Sequence, residues 1–162
     1  MTPAVDLLNK LAIDFKLHQY RHNTNAKSYG DEARIAMREF GAEPEQIFKT
    51  LLVELKTSSG DAYLASALVP VTHSLDLKSL AACLKAKKAG MASKQKVQSS
   101  TAYVLGGVSP LGQKNKLITV IDNSIDDLDT VFVSGGKRGL EIELKTHDLI
   151  RLSDAQVSLI AK

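Results

Sequence analysis

The chain has one cysteine, no tryptophan and only eight Phe and Tyr residues in 162. A lone Cys83 excludes an internal disulfide and fits a reducing compartment. Among Leu80, Ala82 and Leu84 it reads as a small apolar core residue, not as a nucleophile. No apolar run approaches the ~20 residues that a spanning helix needs, so no membrane partner is expected. Met1-Thr2-Pro3-Ala4-Val5-Asp6 has neither a basic region nor an apolar run, so no secretory signal is read there and the cytoplasm is the expected location. The four histidines do not form a ligand set. His18 and His22 are four apart but straddle a strand end and a loop, and His73 and His147 stand alone, so no metal and no cofactor is expected. Few aromatics also argue against a stacking platform for single-stranded nucleic acid.

One absence is local. Residues 77–121 contain no Asp or Glu but hold Lys78, Lys85, Lys87, Lys88, Lys94, Lys96, Lys114 and Lys116. That stretch carries +8 in a chain of net +3, so the remainder carries −5. A basic segment in an otherwise acidic protein suits a phosphate-backbone partner, docked by charge and shape. The alternative is an ordinary solvated lysine surface.

A hydrophobic content of 44% over this length suits one domain spanning residues 1–162. Thr2 and Pro3 open a helix over 3–12, and residues 15–20 alternate as a strand. Residues 29–40 read as a helix stopped by Gly41. Residues 46–56 and 61–69 form a hairpin around Ser58-Ser59-Gly60-Asp61. Ser74 caps a helix to about residue 85, and 93–98 make a short one. Strands are expected at 102–105, 117–121, 130–133 and 140–144, then a short helix from Thr146 and a helical tail over 155–161. Mixed order with many hairpins predicts an α+β domain with a mixed, largely antiparallel, barrel-like sheet flanked by helices, not a repeating βαβ fold.

Two small-residue turns stand out. Gly106-Gly107-Val108-Ser109-Pro110-Leu111-Gly112 and Ser134-Gly135-Gly136-Lys137-Arg138-Gly139 each lie between apolar runs. Either could be an ordinary turn, or a loop whose backbone N–H groups meet a carbonyl or phosphate oxygen. Neither has P-loop or dinucleotide spacing, and no Gly-x-Ser-x-Gly elbow surrounds Ser109. Lys49 is the sharpest single candidate. A period of two places it with Ile47, Leu51, Val53 and Leu55, so its ammonium faces the core or a cavity in it. A buried ammonium needs a partner, a wet pocket or a shifted pKa; the competing reading has it snorkelling from a strand end. With no Ser-His or Cys-His pair in view, an enzyme here would act by positioning and oxyanion stabilisation.

Phe48-Lys49-Thr50-Leu51, the 106–112 loop and the run from Ser134 to Ile142 resemble the YbaK/EbsC family, as do Thr2-Pro3-Ala4-Val5 and Tyr29-Gly30-Asp31-Glu32. The likeness runs from about residue 2 to 160. It is nearest to the free-standing YbaK type, the Cys-tRNA(Pro) deacylases, with the editing domain of bacterial prolyl-tRNA synthetases more distant. The resemblance implies a mixed β-barrel with flanking helices and trans-editing hydrolysis of Cys-tRNA(Pro), with Cys-tRNA(Cys) a further substrate. It implies tRNA as a partner and prolyl-tRNA synthetase as a second. It places catalytic roles on Lys49 and Gly106. Substrate-binding roles fall on Tyr20, Tyr29, Thr50, Gly107, Ser109, Pro110, Ser134 and Glu141. Close YbaK relatives tend to have Phe at Tyr29 and Asp at Glu141. The alternatives are a non-catalytic tRNA- or synthetase-binding module and a deacylase for another amino acid.

Overall fold

Thr2 starts the first helix by accepting a hydrogen bond from the Val5 N–H, and Pro3 sits where its missing donor costs nothing. The computed structural model describes residues 1–21 and 28–162. His22 and the rest of the loop through Lys27 lie outside the described residues. In chain order the elements are α1 (Pro3–Lys10), β1 (Phe15–Gln19), α2 (Tyr29–Arg38), β2 (Phe48–Lys56), β3 (Ala62–Pro70), α3 (Leu77–Cys83), β4 (Lys88–Met91), α4 (Lys94–Thr101), β5 (Ile118–Asp122), β6 (Thr130–Ser134), β7 (Leu140–Lys145), α5 (Thr146–Ser153) and β8 (Gln156–Ser158).

The strands make two sheets. One has the order β1-β7-β6 and is wholly antiparallel; the other has the order β4-β2-β3-β5-β8. In the larger sheet β2 pairs antiparallel with β3 and β4, while β3-β5 and β5-β8 are parallel. A parallel bridge between Ile47 and Phe132 joins the sheets at the start of β2. The result is the expected α+β architecture, a mixed and mainly antiparallel sheet system flanked by helices.

Two main cores set the walls. α1 and α5 pack Val5, Leu8 and Leu149 on Val131, Val133, Leu140 and Ile142 of the small sheet. α3 packs Leu80 on Val53, Leu55, Ala65, Ala67 and Val69 of the large one. Each fully buried Leu or Val of this kind contributes roughly 1.5–3 kcal/mol of transfer energy. Cys83 packs on the edge of that second core.

Three local expectations are corrected, and one strand was not foreseen. Residues 102–105 are not a strand: Ala102 ends α4 in the left-handed region, and the Tyr103 hydroxyl turns inward to donate to the Leu111 carbonyl. The tail is not helical. Gln156–Ser158 adds a strand beside β5, and Asp122 then accepts hydrogen bonds from the Ile160 and Ala161 N–H groups. Ser74 does not cap α3, because its backbone pairs with Lys162; Asp76 accepts from the Lys78 and Ser79 N–H groups instead. Lys88–Met91, unremarkable by composition, is an edge strand on β2.

Candidate active site

The alternation of β2 buries Ile47, Val53 and Leu55 and carries Lys49 on the same side. There the sheet opens into a pocket of about 330 Å³. Lys49, Thr50 and Leu51 form its floor, the start of α2 one wall, Leu105 and Gly106 another, and Ser134, Lys137, Glu141 and Tyr20 the rest. Lys49 is half-buried. Burial pushes its ammonium below the ordinary lysine value, and the charge of Asp31 opposes this. Asp31 itself is engaged by Arg34 at 3.5 Å.

Glu141 on β7 stands opposite Ser134 on β6 and His18 on β1. It is only 6% exposed, and its Oε2 has no hydrogen-bond partner. Burial pushes its carboxyl up to about 8, so it is mostly protonated at neutral pH. His18 is held elsewhere, 3.0 Å from Glu143. The Tyr20 phenol is raised as well, by burial first and then by the charges of Glu141 and Glu32, so it stays an O–H donor. Thr50 Oγ1 is a second buried oxygen without a partner. Two orphaned oxygens in the lining of one pocket mark a place where a polar ligand would complete the hydrogen bonding.

The glycine loops serve this pocket differently from the expectation of open backbone. Gly106 has φ +92°, and a Cβ there would lie 2.5–2.7 Å from the ring of Tyr29. That ring is therefore seated on the Gly106 backbone, and the Arg138 guanidinium covers it 4.3 Å from the ring centroid. Arg138 is fixed in turn by buried Glu32 at 2.8 Å. Gly107 brings the second loop in: a Cβ would lie 2.8 Å from the Lys137 Cα. The two loops, far apart in sequence, thus touch backbone to backbone at the pocket rim.

Of the expected site residues, the fold brings together Lys49, Gly106, Tyr20, Tyr29, Thr50, Ser134 and Glu141. It does not bring Gly107, Ser109 or Pro110 into the lining. The Gly107 N–H is donated to Val104 O at 2.9 Å. Ser109 is fully buried, its hydroxyl accepting from the Leu111 N–H and its carbonyl from Gln113. Pro110 faces a separate depression with Leu7 and Leu117. These three brace the loop from behind. Sequence reasoning missed the Arg138–Glu32 pair. Glu32 shares the stripe of Ala33, Ala36 and Met37 on α2, and an acid on a buried stripe was the available signal. Among the described residues no three His, Cys, Asp or Glu side chains gather to hold a metal, and no helix is long and apolar enough to cross a membrane.

The family model for the aminoacyl-tRNA editing domain matches residues 30–152, which includes every residue lining this pocket except Tyr20, Ser28 and Tyr29. The chain belongs to that family. It is 29% identical over 159 residues to EbsC of Enterococcus faecalis, named as a proposed Cys-tRNA(Pro)/Cys-tRNA(Cys) deacylase, covering 98% of this chain and 92% of the relative. A scaffold protein from work on computational epitope backbone grafting superposes with a TM-score of 0.81 at 26% identity, over 99% of this chain and 95% of its own. A proposed trans-editing enzyme for prolyl-tRNA synthetase superposes with a TM-score of 0.78 at 23% identity, over 100% and 98%. As an editing domain the chain falls in the class of aminoacyl-tRNA deacylases, hydrolases of an ester bond.

Proposed function

We propose that this protein removes cysteine from mischarged tRNA, with Cys-tRNA(Pro) as the main substrate and Cys-tRNA(Cys) as a second. The observation that carries the reading is the pocket itself: a half-buried cation, Lys49, shares one small cavity with the protonated Glu141 and the unsatisfied Thr50 hydroxyl. A cavity of about 330 Å³ admits an aminoacyl group and part of a ribose, not a duplex. The name of the Enterococcus relative points to the same substrate.

In this reading Lys49 binds the phosphate or ribose of the tRNA 3′ end as a fixed positive charge. The Gly106 amide faces the aminoacyl carbonyl as the oxyanion donor, since that of Gly107 is already engaged. Tyr20, Thr50, Ser134 and Glu141 bound the amino acid. Among the described residues that line the pocket there is no Cys or His, and in this reading no protein side chain attacks the ester. The substrate supplies its own nucleophile. Its sulfur attacks its own carbonyl carbon and the C–S bond forms. The ester C–O bond then breaks and the thiol proton passes to the departing ribose oxygen. Water opens the four-membered thiolactone to free cysteine. Holding sulfur and carbonyl in contact is the protein's main contribution.

Few contacts in such a pocket read the tRNA body, so prolyl-tRNA synthetase is the proposed partner that supplies tRNA choice. The test is a deacylation panel with Cys-, Ser- and Ala-charged tRNA(Pro) and with Cys-tRNA(Cys), with and without that synthetase. Rapid loss of cysteine with slow loss of serine, a far weaker nucleophile, is expected. Equal rates for serine and cysteine would refute the thiol step, and no hydrolysis at all would refute the deacylase reading.

A further inference from the structure

The acid-free segment now has a place in the fold. α4 is a polar helix: Lys94, Gln95, Lys96, Gln98 and Ser99 are exposed, while Val97 and Thr101 are buried against Leu52, Tyr103 and Val108. Its first turn carries no acid. Two backbone hydrogen bonds, Lys114 N–H to Thr101 O at 3.1 Å and Asn115 N–H to Ser100 O at 3.0 Å, fold the later part of the loop against the C-terminal end of α4. Lys94 and Lys96 therefore stand at one end of this helix, and Lys114 and Lys116 at the other, about 12 Å along the axis. From Ser93 to Lys116 there is no Asp or Glu. Among the described residues, the counter-charges paired with this strip are Glu54, with Lys96, and the exposed Asp154, 3.8 Å from Lys116. Beyond Ala102 the chain runs directly to Leu105 and Gly106 in the pocket wall, with Val104 and Leu105 more than half exposed at the rim. Lys137 adds a positive charge to the pocket lining itself.

We infer that α4 and the Lys114–Lys116 loop form the docking face for the duplex part of the tRNA, contacting its phosphates while the charged 3′ end enters the pocket beside Gly106. The strip has no carboxylate of its own, its α4 end continues through residues 102–106 into the pocket wall, and its lysines span a length that covers several phosphates of an RNA strand. Lysines on a polar helix read charge and not sequence, so this face adds affinity without choosing among tRNAs. The inference rests on the aminoacyl-tRNA reading of the pocket, but its test separates the two.

The test compares the full chain with a triple variant, Lys94→Gln, Lys114→Gln and Lys116→Gln, on two ligands. The first is tRNA, charged for kinetics and uncharged for direct binding from 50 to 200 mM salt. The second is cysteinyl-adenosine, which reaches the pocket but not the strip. The expected result is about a tenfold or greater rise in KM and Kd for tRNA at 50 mM salt. The log–log salt slope should shrink by about two to three, near one per lysine removed. Turnover of cysteinyl-adenosine should be unchanged. An unaltered tRNA affinity and salt slope would overturn the inference. So would a variant that binds tRNA normally but no longer binds prolyl-tRNA synthetase, since the strip would then be a protein-docking face. If neither ligand is hydrolysed by the unmodified protein, the deacylase reading fails, and binding of uncharged tRNA still decides the role of the strip.

Discussion

Replacing Glu141 by Gln should make the protein more stable, and only above mildly acid pH. The side chain is 6% exposed, one of its oxygens lacks a partner, and burial raises its carboxyl from 4.5 to about 8. Lys49 lines the same pocket but contributes no resolved charge relief to Glu141; the upward push comes from desolvation. The other groups facing it are Tyr20, itself pushed to stay neutral, the hydroxyl-bearing Ser134 across one strand pair, and His18 across the other, which Glu143 holds at 3.0 Å. Below pH 4.5 the carboxyl is protonated in both folded and unfolded chains, and it contributes nothing to the pH dependence. Between 4.5 and about 8 the unfolded chain gives up the proton while the folded chain keeps it. Folding is then opposed by 1.36 kcal/mol for each pH unit. The accumulated loss is about 3 kcal/mol at pH 7 and levels off above the folded value near 8. Gln has nearly the same shape, is never charged and removes this penalty. Urea unfolding of both proteins at intervals from pH 4 to 9 should give curves that coincide at the acid end. They should separate progressively to neutral pH, with the variant ahead, and run parallel above pH 8 to 9. Curves that stay parallel over the whole range would show that Glu141 ionises normally. A variant less stable at pH 7 would show that its charge is wanted in the folded state. Either result would refute the account of Glu141 as a carboxyl that burial keeps protonated.

The other expectations concern the pocket and its rim. Lys49→Met should lower kcat/KM for Cys-tRNA(Pro) by at least about a hundredfold, consistent with loss of a positioned charge. Its thermal transition should be unchanged or slightly higher, since a desolvated ammonium is removed; near-normal activity would remove Lys49 from the reaction. Gly106→Ala places a methyl group 2.5–2.7 Å from the Tyr29 ring at φ +92° and should cost about 1–2 kcal/mol in backbone strain alone. Tyr29 must then leave Arg138, so deacylation should fall more than stability does, as measured by paired melting and kinetic runs. Cys83→Ala lies on the edge of the α3 core and should keep activity within about twofold, because no protein thiol takes part; loss of activity in a folded variant would contradict a nucleophile carried by the substrate.

The strongly periodic parts of the fold were legible in the sequence. The alternation from Phe48 to Lys56, answered by Ala62 to Pro70 across Gly60, dictates both the hairpin and the side on which Lys49 emerges. α1, α2 and α5 likewise have an apolar stripe and a recognisable start or stop. Short apolar runs misled because their partners lie outside the run itself. Residues 102–105 look extended and apolar, yet Ala102 ends α4 in the left-handed region, and Tyr103 buries its ring and donates to Leu111 O. The tail reads as helical by composition. The edge of β5 and the carboxylate of Asp122 make a strand the better use of its backbone groups. Local pattern could not supply either fact, since both depend on contacts more than 30 residues away for the tail and on the end of α4 for Tyr103.

The site divides along the same line. Lys49 was readable because its environment is set by the strand that carries it. The packing around Gly106 was not, because it is set by two other elements. Tyr29 and Glu32 come from the first turn of α2, and Arg138 from the turn between β6 and β7. A glycine in a loop suggests open backbone, ready for a ligand. Here the space on its Cα is filled by a tyrosine ring capped with a guanidinium. The glycine's freedom therefore serves to bring α2 down onto the loop, and this contact gives the pocket its second wall. If that is so, the ring and not the hydroxyl of Tyr29 matters. Tyr29→Phe should leave the pocket intact, whereas Tyr29→Ala should open it.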